Sequence, residues 1–103
     1  MMNRKDQLLH EVQASAAALI LWGAELKTMQ AQAAQDRGAL SRARALSLAI
    51  STGAANFRRL VAAYADVPGM HEGQINGLGI GLDQLAEAAE ALVQALEARQ
   101  AAA

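Results

Sequence analysis

From Ile75 to Leu96 the residues Ile75, Leu78, Leu82, Leu85, Ala89, Leu92 and Leu96 recur at alternating steps of three and four. An α-helix keeps residues so spaced on one face, so this register dictates a long helix with one apolar stripe against a neighbour. The same steps run through Leu9, Val12, Ala16, Leu19, Gly23 and Leu26, and again through Ala43, Ser47, Ile50, Ala54, Phe57, Val61 and Tyr64. Three segments, at about 3–35, 39–65 and 68–99, therefore predict an all-α fold. It is a single domain over 1–103, an antiparallel bundle of three long helices made of a hairpin and a third, glycine- then alanine-rich helix. Composition argues against the alternatives. Of 103 residues 26 are alanine and 14 leucine, and Trp22, Phe57 and Tyr64 are the only aromatics, which leaves little material for a sheet.

Asp36, Arg37 and Gly38 interrupt the first apolar pattern and mark the hairpin turn. Gly38 lies midway between Gly23 and Gly53, so the fold-back predicts that those two glycines face each other across a close crossing, with Ala16 and Ala54 beside them. The second connection is harder to read, because residues 66–81 hold the one proline and five of the eight glycines. Each glycine costs a helix interior about 1 kcal/mol relative to alanine. The seam nevertheless starts inside this stretch, and Gly69, Gly73, Gly77 and Gly81 recur every fourth residue, a spacing that admits a neighbouring backbone. The expected helix has Asp66 as N-cap and Pro68 in its first turn. The alternative is a loop to about Ile80 with Asp83 as N-cap.

Charge is segregated along the chain. Residues 1–36 carry three basic and four acidic groups, 37–65 carry five arginines and no acid, and 66–103 carry six acids and Arg99. A net charge of -1 argues against nucleic-acid binding as the main activity, since that affinity rests on many cations on one face. One reading of the segregation makes the second and third helices complementary neighbours. The other makes the arginine sector a docking site: Arg37, Arg44, Arg58 and Arg59 surround Leu48 on the side away from Ile50, as a site for an acidic amphipathic partner would. The first segment is apolar over a wider arc than one neighbour needs. Such an arc serves either both neighbours of a three-helix bundle, with Trp22 in the core, or one neighbour and a second copy, and on the second reading Ala18, Trp22, Leu26 and Met29 are expected to meet in a two-fold homodimer.

No catalytic constellation emerges. There is no cysteine, hence no disulfide, thiolate cluster or thiol nucleophile, and a cytoplasmic location is expected. His10 and His71 are each followed by glutamate but lack the second histidine of a zinc helix, and Gly77-Leu78-Gly79-Ile80-Gly81 misses the dinucleotide fingerprint. No metal and no cofactor are expected. The uncharged run Val12 to Ala24 is too short to span a bilayer, and Asp6 and Glu11 before it are unlike a secretory leader, so no membrane partner is expected. His10-Glu11-Val12 resembles the phospho-accepting box of histidine kinases, whose dimerisation domains are helical hairpins. That resemblance covers three residues and implies phosphotransfer through His10, although Ala14 stands where the family usually has a polar residue. The residues themselves point instead to a non-catalytic protein-interaction module: a regulator, inhibitor, adaptor or small chaperone.

Overall fold

A computed structural model describes residues 3–67 and 72–102. It contains α1 (Arg4–Gln32), α2 (Ala39–Ala63) and α3 (Glu72–Ala102), each packed against the other two. The molecule is a rod of 55 × 20 × 19 Å. Contacts at fixed levels set the register. Trp22 lies on Gly53, and Tyr64 donates from its hydroxyl to Gln7 Oε1 at 3.5 Å, so α2 runs antiparallel to α1. Ser47 Oγ donates to Glu90 Oε2 at 3.3 Å, and Arg44 meets Glu97, so α3 runs antiparallel to α2. Leu19 against Gly81, and Leu26 sharing a cluster with Ala89, place α3 parallel to α1.

The ends of the helices follow from local chemistry. Asn3 caps α1, its side-chain oxygen accepting from the Asp6 N–H at 2.8 Å, which satisfies a first-turn donor. The hairpin turn is organised by Asp36. Its Oδ1 accepts the Gly38 N–H at 2.9 Å and its Oδ2 accepts from Arg42, so a carboxylate sits at the N-terminus of α2, where the helix dipole favours it. At the other end of the hairpin Arg4 donates to the Ala63 carbonyl at 2.8 Å and to Asp66 Oδ1 at 2.9 Å, and its guanidinium lies 5.1 Å from the centre of the Tyr64 ring. A cation there suits the last carbonyls of α2.

The core is strung along the rod as three clusters. Ala39, Leu40, Ala43, Val93 and Leu96 form one end, Leu26, Leu46, Ile50 and Ala89 the middle, and Ala54, Phe57, Ile75 and Leu82 the other end. The α3 seam is as expected: all seven of its residues are buried or half-buried, and α3 is helical from Glu72 through the glycine stretch, which excludes a loop to Ile80. The α2 seam agrees likewise. Helix ends differ by a few residues: α1 stops at Gln32, where residues 33–38 turn, α2 stops at Ala63, and α3 continues to Ala102. Asp66 lies in a turn and takes the Arg4 ion pair. The expected placement of Pro68 and Gly69 lies outside the described residues.

Two expectations are corrected. In α1 the inward stripe is Leu8, Val12, Ser15, Leu19, Trp22, Leu26, Met29 and Ala33, all buried or half-buried, whereas Leu9 is 44% exposed and Leu8 fully buried. This stripe also steps by three and four, and it shares Val12, Leu19 and Leu26 with the expected one, whose Ala16 and Gly23 are half-buried beside it, so that Leu9 alone of the six is exposed. It is rotated towards Trp22 because that ring has the larger apolar surface to bury. Glycine pairing is corrected as well. A Cβ at Gly23 would meet nothing within 4 Å, while one at Gly53 would stand 2.5 Å from Trp22 Cη2. Gly53 is thus a hole for an indole and not half of a backbone crossing. Gly73 and Gly77 also face open space, and the glycines that receive side chains are Gly79, under Phe57, and Gly81, under Leu19.

Candidate docking surfaces

The arginine sector is held on α2 and on the turn before it. Arg37, Arg44, Leu48, Arg58 and Arg59 are all exposed. Two of them lean towards α3: Arg44 Nη2 reaches Glu97 Oε1 at 3.4 Å, and Arg58 pairs with Asp83. The charge segregation of the second and third helices therefore has an internal use. Among the described residues Arg37 and Arg59 make no ion pair with the chain. Leu48 stands one turn beyond Arg44, is 70% exposed, and points away from buried Ile50. Exposed ion pairs of this kind hold their partners weakly, so Arg44 and Arg58 can exchange Glu97 and Asp83 for carboxylates of another molecule.

The side chains of α1 expected to meet a second copy fall differently. Leu26 is buried in the middle cluster, and Trp22 and Met29 pack half-buried against the same cluster. Ala18 is half-buried on the wall of a groove between α1 and α2. The rotated stripe therefore accounts for the apolar width of α1 within one chain. What α1 leaves outside is another set, Ile20 at 73% and Leu21 at 64% exposure, with Leu9 on the same helix. Both lie outside the arc expected to be apolar, Ile20 just past its Leu9 edge and Leu21 on the far side of the helix. Their signal was the absence of charge from Val12 to Ala24 on every face of the helix.

Two open grooves of about 360 Å³ each flank the α1–α2 contact. Ala14, Ala18 and Gly53 hollow out the first, whose floor is Phe57 and Leu82 and whose rim carries Glu11, Ser15 and Asn56. Leu21, Met29, Asp36 and Arg42 border the second. The first groove thus presents a hydroxyl at Ser15, a carboxylate at Glu11 and a carboxamide at Asn56 beside its apolar floor. His10 is exposed on α1. Among the described residues no group of three histidine or acidic side chains could hold a metal ion, and no helix is long and apolar enough to cross a membrane. Comparison with known protein families, curated proteins and solved structures finds no match to this chain.

Proposed function

We propose that the chain is a non-catalytic helical module that docks an acidic, amphipathic segment of a protein partner on the outer face of α2. The observation that carries this reading is Leu48, a large apolar side chain left 70% exposed on a helix whose only charged groups are arginines. A partner helix with a hydrophobic anchor over Leu48 and carboxylates towards Arg37 and Arg59 would complement that face in shape and charge. The role of a regulator, an inhibitor, an adaptor or a small chaperone would fit such a surface equally well.

The test uses Leu48→Asp combined with Arg59→Glu, two exposed positions whose substitution leaves the core and the α2–α3 ion pairs intact. Immobilised parent chain should retain a defined protein from a host lysate, and the variant, with an unchanged circular dichroism spectrum, should lose it. Equal retention by parent and variant would overturn the docking face. The enzyme-class rival, phosphotransfer at exposed His10, predicts something else. Incubation with a histidine kinase or a phosphorylated response regulator would leave acid-labile phosphate on the parent and none on His10→Gln, and that result would replace the docking reading.

A further inference from the structure

We propose that the outer face of α1 is the interface of an antiparallel homodimer, with the two-fold axis passing between Ala16 and Ala17. The inward stripe of α1 has a counterpart on the opposite side of the helix. It runs from Asp6 through Gln13, Ala17, Ile20 and Ala24 to Lys27 at heptad-compatible spacing, and every one of these residues is exposed. Ala17, Ile20 and Ala24, flanked by exposed Leu9 and Leu21, give this strip an apolar middle that the chain itself leaves uncovered. The strip is about 32 Å long.

The choice of occupant comes from the ends of this strip. Asp6 and Lys27 are its terminal charges, they have opposite sign, and neither makes an ion pair with the chain among the described residues. Turned about an axis between Ala16 and Ala17, the strip brings Asp6 of each copy opposite Lys27 of the other. The same rotation sets Leu9 against Ala24 and Gln13 against Ile20, so large side chains face smaller or flexible ones. Near the axis the strip carries only Ala17, a small side chain that lets the helices approach closely. A parallel pairing would instead stack Asp6 on Asp6 and Lys27 on Lys27, which like charges oppose. The charge pattern is therefore self-complementary in one orientation, and the partner it fits is this chain.

This interface lies on a different helix from the docking face on α2, so the two readings fail separately. Sedimentation equilibrium of the full chain should show a reversible monomer–dimer equilibrium in the micromolar range. Ile20→Asp should raise the dissociation constant by roughly thirtyfold or more, as loss of a central anchor does, and Leu48→Asp should leave it unchanged. Lys27→Asp should weaken the dimer, and adding Asp6→Lys to it should restore the parent constant to within about threefold. Because the native chain has no cysteine, Ala17→Cys tests the axis directly. Mild oxidation should cross-link it to a dimer, while Leu48→Cys under the same conditions stays monomeric. A parent that sediments as a monomer at several hundred micromolar would overturn the proposal. So would a dimer indifferent to Ile20→Asp, or a charge-swapped variant as weak as the single reversal.

Discussion

Trp22 and Gly53 show how one residue's bulk sets another's identity. A methyl group on Gly53 would stand 2.5 Å from Trp22 Cη2 and 2.7 Å from Cζ3, well inside contact distance. Overpacking of this kind costs about 1–3 kcal/mol, and exchanging glycine for alanine in a helix returns about 1 kcal/mol. Gly53→Ala should therefore destabilise the fold by about 1 kcal/mol in urea unfolding. In a Trp22→Ala background, itself about 3 kcal/mol less stable because an aromatic has left the core, the clash is gone and Gly53→Ala should stabilise. Gly77 provides the control, since a Cβ there meets nothing within 4 Å. Gly77→Ala should add about 0.5–1 kcal/mol. A Gly53→Ala effect of the same sign in both backgrounds would show that the indole does not occupy that hole.

Within the helices, legibility depended on side-chain size. The α2 and α3 seams carry Ile50, Phe57, Leu82 and Leu96 at unambiguous positions, and the sequence pattern placed them on the buried face without error. In α1 small residues stand at Ala14, Ala16, Ala17, Ala18 and Gly23. Alternation of apolar and small residues there fits two phases one residue apart, and only the packing of the Trp22 ring decides between them. The glycines of α3 kept their helix because Ile75, Leu78 and Leu82 hold the phase against α2. The arginines were legible as a sector, but their partners were not, since the pairing of Arg44 with Glu97 and Arg58 with Asp83 depends on the axial register of α2 against α3. Reversing both, as Arg44→Glu with Arg58→Glu, turns two attractive contacts into repulsive ones. Exposed pairs contribute 0.2–1 kcal/mol each, so the loss should be about 1–2 kcal/mol at about 0.01 M salt and should largely vanish near 1 M. Urea denaturation at the two ionic strengths measures it, and equal stability of parent and variant at low salt would show that the two contacts are not populated in solution.

As a whole the molecule is a thin rod, with a Cα radius of gyration of 16.3 Å where a compact chain of this length has about 13 Å. A rod of alanine-rich helices buries little per residue. Eight side chains of α2 are buried along 25 residues, but only Leu8 and Leu26 of α1 along 29. The helix held least by its own chain is thus the one whose outer face carries no charge between Val12 and Ala24, and pairing two copies of α1 would cover it from the other side. The geometry of the rod then fixes the shape of the dimer. Because α3 runs on past the end of α1 to Ala102, an axis between Ala16 and Ala17 falls about five residues short of the middle of the rod. Two antiparallel rods joined there are displaced by about 15 Å along their length, which gives a particle about 70 Å long where one chain measures 55 Å. Small-angle X-ray scattering at dimer-populating concentration should return a maximum dimension near that value, with a cross-section about twice as wide in one direction. Rods joined end to end would extend to about 110 Å, and rods paired in register would stay near the monomer length. Either result would place the interface somewhere other than the outer face of α1.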